Sequence, residues 1–185
     1  MPRTRRVSDD EILDAALPVM VRKGPRDFTL GDIAAAIGMA PATLLQRFST
    51  KQKLIERVFA RDNERFAEWM KGLPPGRGVK SILALYESAI ETFGADENLA
   101  DHLLWLREDF RNPQLNKITR QRFRLWYKAL EERLPPMRVP PKVAARLLDA
   151  QLQGALNQWG IFREGRLADY VMSSLRNWLR LSADK

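Results

Sequence analysis

Between Phe28 and Lys53 the chain reads FTLGDIAAAIGMAPATLLQRFSTKQK, and each break in its helical pattern has a local cause. Thr29 stands three residues before Asp32. That is the spacing at which a cap oxygen and an acidic side chain satisfy free N–H groups of a first helical turn. Phe28 and Ile33 flank the cap as a hydrophobic staple. Gly38 follows Ile37 and reaches left-handed backbone without steric cost. Pro41 suits a first helical position, where its missing N–H is no loss. Phe48 closes that helix and another starts after Thr50. The segment therefore reads as two short helices, a tight turn between them, and a third helix beginning at once.

The same grammar extends outward. Ser8-Asp9-Asp10-Glu11 is a capping box, with Val7 and Ile12 as its staple. It predicts a first helix from about Ser8 to Lys23, stopped by Gly24-Pro25, with Pro18 expected to kink or loosen its middle. The fourth helix, starting after Thr50, runs to about Lys71. Period-2 alternation and hairpin turns are missing, while helical spacing dominates. The fold class is all-α, with about nine helices. LPPGRG (Leu73–Gly78) is the one clear linker. It separates a head, residues 1–70, from a body, residues 71–185. Body helices are expected near 79–94, 97–110, 113–134, 141–163 and 167–181, punctuated by prolines and Gly165.

Composition narrows the chemistry. The 185 residues are 45% hydrophobic, enough for a sizeable core, and contain no cysteine. Disulfides, Cys-ligated zinc and thiol catalysis are excluded, and a reducing cytoplasm is the expected home. No apolar run approaches the ~20 residues that span a bilayer, so no membrane partner is expected. The start, MPRTRRVSDDE, is basic without an apolar stretch behind it and does not read as a secretory signal. The net charge of +8 favours polyanions in general. Residues 1–70, however, hold 12 Lys+Arg against 10 Asp+Glu, and most of the excess lies in the body. Local placement of charge is the better guide.

In the helix-turn-helix, about residues 29–48, Ala34, Ala35 and Ala36 are expected to allow close helix approach. Ile33, Ile37, Leu44 and Phe48 are the expected anchors. Thr43, Leu45, Gln46 and Arg47 are left facing outward. Glutamine can read adenine and arginine guanine or a phosphate. Here the sequence resembles the TetR family of bacterial transcriptional regulators. The residues that carry the resemblance are ILDAAL (Ile12–Leu17), FTLGDIAAAIGMAPATLLQRF (Phe28–Phe48) and STKQKLIERVF (Ser49–Phe59). The body resembles the family only in layout, with 146–181 looking like its last two helices.

The resemblance implies a homodimer whose heads bind successive major grooves of a palindromic double-stranded operator, released by a small effector. By position it places Thr29 or Leu30 beside a phosphate and Pro41, Ala42, Thr43, Leu45, Gln46 and Arg47 on the recognition helix. Lys51 is the implied phosphate-binding lysine, at a helix start that also favours an anion. This chain departs from the family at Ala40-Pro41-Ala42, where Ser-Lys-Gly is usual, and at Leu45 and Gln46, where aromatic residues are common. Arg47, Lys51 and an Arg3-Arg5-Arg6 arm would then carry more of the affinity.

In the body, Phe93, Trp105, Phe123, Trp126, Tyr127 and Trp159 are candidates to line an apolar pocket for a hydrophobic or aromatic effector, though aromatics at helical spacing also make plain core. Leu148, Leu152, Ala155, Val171, Leu175 and Trp178 are the expected dimer interface, two helices from each subunit forming a four-helix bundle. Lys117, Arg120, Arg122, Arg124 and Lys128 read as a solvated cationic face. His102 alone makes no standard zinc site, so no metal and no cofactor are expected. Phosphate loops, nucleophile elbows and paired metal motifs are absent, and no catalytic residue is assigned. The leading function is a ligand-responsive repressor rather than an enzyme. The alternative is a carrier of a lipid or hydrophobic metabolite on the same fold, which would not need Gln46, Arg47 and Lys51.

Overall fold

The computed structural model describes residues 7–93 and 99–182, with only the backbone of Phe93. Among the described residues it contains nine helices and no β-strand. They are α1 (Asp9–Asp27), α2 (Leu30–Ala36), α3 (Pro41–Phe48), α4 (Lys51–Gly72), α5 (Val79–Phe93), α6 (Leu99–Arg111), α7 (Pro113–Arg133), α8 (Pro141–Phe162) and α9 (Leu167–Ser182). The all-α expectation holds, and most helix ends fall within a residue or two of the positions set by the caps and prolines. The Arg3-Arg5-Arg6 arm lies outside the described residues.

The first helix begins as its capping box dictates. The Glu11 N–H donates to Ser8 Oγ at 3.1 Å, and the Ser8 N–H donates to Glu11 Oε2 at 2.8 Å. The expected kink at Pro18 does not occur. Within α1 the only non-helical backbone is at Gly24, with φ of 76° and ψ of 167°. Pro18 stands on the exposed face, where a carbonyl left without its helical partner stays within reach of water. Gly24 turns the chain by adopting a positive φ that side-chain-bearing residues resist. A short helical remnant, Pro25–Asp27, follows it.

The chain divides into two compact units. The first holds the residues up to Met70 together with Asp101–Arg122; the second holds Lys71–Ala100 and Phe123–Lys185. In the first unit Ile12, Ala16 and Met20 of α1, Ile33 of α2, Leu44 of α3 and Leu54 of α4 are fully covered. Trp105 of α6 joins this core. Its ring lies 5.0 Å from Phe59 and 6.1 Å from Phe28, and its indole N–H donates to the Met20 carbonyl at 3.2 Å. An aromatic buried this way typically costs about 3–5 kcal/mol to truncate to alanine. Asn63 of α4 donates to the Ile118 carbonyl of α7 at 2.7 Å. Arg122 pairs with Asp62 and lies 4.3 Å over the Phe66 ring. These long-range contacts explain why a segment from the second half of the chain belongs to the first unit.

In the second unit α8 packs along α9, and α5 packs on α9. Ile82 of α5, Leu130 of α7, Leu148 and Ala155 of α8 and Val171 and Leu175 of α9 are completely buried. Asp149 sits within this core, 5% exposed. It accepts from the Trp126 indole at 3.1 Å and from the Tyr127 hydroxyl at 3.2 Å. Burial raises its pKa above the ordinary carboxylate value, and these two donors oppose the rise. No helix among the described residues is long and apolar enough to cross a membrane.

Candidate nucleic-acid interface

The helix-turn-helix is assembled by its caps. The Asp32 N–H donates to Thr29 Oγ1 at 3.2 Å and the Thr29 N–H to Asp32 Oδ2 at 2.7 Å. Lys23 reaches across from α1 to Asp32 Oδ1 at 2.7 Å. The Lys23 ammonium first, and then the Thr29 donors, lower the Asp32 pKa to about 2. Gly38 turns the chain with φ of 64°. The Met39 N–H donates back to the Ala34 carbonyl at 2.8 Å, closing the α2 end. Of the three alanines read as contact residues, only Ala34 is buried. Ala35 and Ala36 are exposed, because a seven-residue helix offers one side to its neighbours and those two lie on the other. Pro41 starts α3, and Ala40 makes no side-chain cap bond.

On α3, the second helix of the helix-turn-helix, Leu44 and Phe48 point into the core. Pro41, Ala42, Leu45 and Gln46 are exposed and Thr43 is half-buried. Leu45 presents 47% of its surface, an apolar group of the kind that packs on a thymine methyl. Two cations behave differently from the rest. Arg47 is drawn back to the start of α1, where it pairs with Asp9 and donates to the Val7 carbonyl at 2.7 Å. Lys51 donates to the Phe28 carbonyl at 2.6 Å and lies 3.9 Å over the Phe28 ring. It also reaches the Pro25 carbonyl at 3.5 Å. Lys51 is thereby tied to carbonyls at the end of α1, which need donors. Thr29 likewise spends its hydroxyl on Asp32, donating at 2.9 Å, and Leu30 is half-buried beside it.

Lys53 takes a place that sequence reasoning did not assign. It is exposed in the first turn of α4, a helix of 22 residues whose start is capped by Thr50 Oγ1 accepting the Lys53 N–H at 3.1 Å. With Arg47 and Arg57 it borders a shallow concavity of about 440 Å³ at the end of α3. Its position in STKQK, two residues beyond the lysine chosen by resemblance, was the available signal.

The proposed pocket aromatics are not brought together. Trp105 lies in the core of the first unit. In the second, Trp126 is buried edge-on against Tyr86 at 5.2 Å, and Phe123 and Tyr127 stack 5.6 Å apart. Trp159 sits near the end of α8, donating to the Gly165 carbonyl at 3.1 Å, with Arg163 over its ring at 4.4 Å. The side chain of Phe93 lies outside the described residues.

The proposed interface residues divide as well. Leu148, Ala155, Val171 and Leu175 are each 0% exposed within the single chain, so they have no surface left for a partner. Leu152 and Trp178 keep part of theirs. The outward apolar residues of these helices are others: Val143, Leu147, Ile161, Phe162 and Leu181, exposed by 45%, 47%, 76%, 63% and 78%.

Residues 12–58 match the family model described as bacterial regulatory proteins, tetR family. No curated protein matches the chain. Solved structures share its whole fold. A TetR transcription regulator from Haloarcula marismortui has a TM-score of 0.77 at 16% identity, covering 96% of this chain and 100% of that one. A transcriptional regulator from Saccharomonospora viridis in complex with choline has a TM-score of 0.73 at 20% identity, covering 94% and 96%. SmeT, the repressor of the Stenotrophomonas maltophilia multidrug efflux pump SmeDEF, has a TM-score of 0.69 at 22% identity, covering 97% and 92%.

Proposed function

We propose that this chain, which carries a TetR-family head on a TetR-like all-α fold, is a ligand-responsive repressor that binds a palindromic operator as a homodimer. The observation that carries the reading is the surface of α3. Its inner side chains are anchors, and on its outer side the side chains of Thr43, Leu45 and Gln46 make no hydrogen bond or ion pair among the described residues. A helix held this way by a preceding short helix is the device that enters a major groove. Gln46 reads a base edge, Leu45 packs on a methyl group, and Lys53 with the start of α4 holds a phosphate. Arg47 and Lys51 join the contact only by leaving Asp9 and the Phe28 carbonyl.

Dimerisation is proposed through the outer face of the last two helices. Val143, Leu147, Gly154 and Ile161 recur at spacings of four and seven along α8. A side chain added at Gly154 would meet open space, so a partner helix can come close there. Leu181 and the free part of Trp178 extend the face along α9. Two such faces form an isologous four-helix contact. The regulator of S. viridis was solved with choline and SmeT represses an efflux pump, which supports release by a small molecule here. The carrier alternative has the exposed Leu45 in its favour and the polar Thr43, Gln46 and Lys53 against it.

The salt dependence of DNA binding tests the interface. Lys53→Gln should reduce the slope of log affinity against log salt by about one, because one phosphate contact and its released counterion are lost. An unchanged slope would remove α4 from the interface.

A further inference from the structure

We infer that a cavity in the second unit is an effector site for an organic anion with an apolar body, an inference that rests on the ligand-responsive reading above. The LPPGRG segment, the N-terminal half of α5 and the end of α7 enclose about 420 Å³. That volume suits a small organic ligand. Arg77, Lys80 and Arg133 border it, with the hydroxyls of Ser81 and Ser88, and no acidic residue does. Leu85, on the α5 side, contributes an apolar wall.

Arg133 carries the argument. It is only 9% exposed, yet no carboxylate among the described residues lies within ion-pairing distance. Its guanidinium donates to the carbonyls of Pro74 at 3.2 Å and Ala129 at 3.3 Å. Two neutral acceptors orient the charge without cancelling it, and a buried uncompensated cation is costly. A guanidinium held this way keeps donors for an oxyanion, which it engages in a planar fork.

The surroundings are built rather than incidental. Arg77 is fixed by donating to the Leu134 carbonyl at 3.0 Å. The Gly78 N–H donates to the Arg133 carbonyl at 2.7 Å and ties the start of α5 to the end of α7. A Cβ at Gly76 would come within 2.7 Å of Ser81 Oγ, so the linker lies directly on the first turn of α5. The 15-residue α5 adds the positive end of its dipole to the three cations. A carboxylate or a phosphate monoester satisfies this donor set, with its carbon chain against Leu85. Choline-like cations do not.

Calorimetric titration of the full chain tests this with decanoate, decyl phosphate, inorganic phosphate and decyltrimethylammonium, each below micellar concentration. Decanoate or decyl phosphate should bind once per chain, and whichever is tighter identifies the headgroup. The cation should not bind, and inorganic phosphate should bind more weakly for want of the apolar contact. Lys80→Glu should weaken the anion about tenfold or more while leaving the unfolding temperature unchanged, since Lys80 is exposed. Arg133→Gln should abolish binding, but it also touches the linker, so Lys80→Glu keeps the test independent of folding. No binding by either amphiphilic anion at millimolar concentration, equal binding of the cation, or an unaffected Lys80→Glu would each overturn the site. Anion binding that leaves the DNA complex intact would overturn the regulatory reading instead and leave the site standing.

Discussion

Asp9, in the first turn of α1, holds Arg47 of the recognition helix in an ion pair, and the neighbouring Val7 carbonyl accepts a second hydrogen bond from the same guanidinium at 2.7 Å. Arg57 approaches the other oxygen of Asp9 at 3.1 Å. The one cation of α3 is therefore engaged inside the chain. Under the proposed function, an operator would have to compete with Asp9 for it.

That competition has a sign. Asp9→Asn should release Arg47 and tighten operator binding several-fold at low salt, since exposed or half-exposed pairs are worth about 0.2–1 kcal/mol. Arg47→Ala should weaken binding by roughly 1–3 kcal/mol. In the Arg47→Ala background Asp9→Asn should do little through Arg47, and any remaining gain belongs to Arg57. Fluorescence anisotropy on the four proteins at fixed salt gives the cycle. If Asp9→Asn weakens binding, the pair is a brace that presents α3 and not a competitor.

The α2 cap makes a pH prediction. Asp32 has a pKa lowered to about 2 by Lys23 and Thr29, below its unfolded value of 3.8. A depressed carboxylate stabilises the folded state above the unfolded pKa, and that stability is lost as pH falls through the folded pKa. Wild type should lose stability between about pH 4 and pH 2 in part through this group. Asp32→Asn should be less stable at neutral pH and show a flatter profile in that window. Thermal melts across it would decide; parallel profiles would mean the cap is already broken in solution.

Asp149 behaves oppositely. Burial raises its pKa, so the folded chain binds its proton more tightly than the unfolded chain. Its contribution is then most favourable at low pH and is lost as pH rises through the folded value. Asp149→Asn keeps an acceptor for Trp126 without the buried charge. It should be more stable than wild type at neutral pH, with the gain vanishing as pH falls below the unfolded carboxylate value of 3.8. A variant that is less stable at every pH would show the charge itself to be needed, by a cation or a ligand.

What was legible in the sequence was what is decided locally. The Ser8 and Thr29 boxes, the Gly38 turn and the Pro41 start each depend on residues within four positions, and each formed as read. Pro18 produces no kink because its effect depends on which side of the helix faces water, and it stands on the exposed side. Trp105 was placed with the body because its partners, Phe28, Phe59 and the Met20 carbonyl, are far away along the chain. Periodicity found the inward stripe of the last two helices through Leu148 and Leu175. A stripe does not say whether the covering helix comes from the same chain, and here it does. Arg47 and Lys51 were identified as recognition-helix and phosphate cations, but their intrachain acceptors are carbonyls and a carboxylate that no spacing rule reveals.

In the proposed function Thr43, Leu45 and Gln46, presented twice by a two-fold dimer, read a specific duplex. Selection of bound sequences from random double-stranded DNA tests it most directly. The expected result is a palindrome whose half-sites lie about one helical turn, or a multiple, apart, and whose selectivity relaxes at one position per half-site in Gln46→Ala. Recovery of unselected sequences, with binding that depends only on salt, would contradict it.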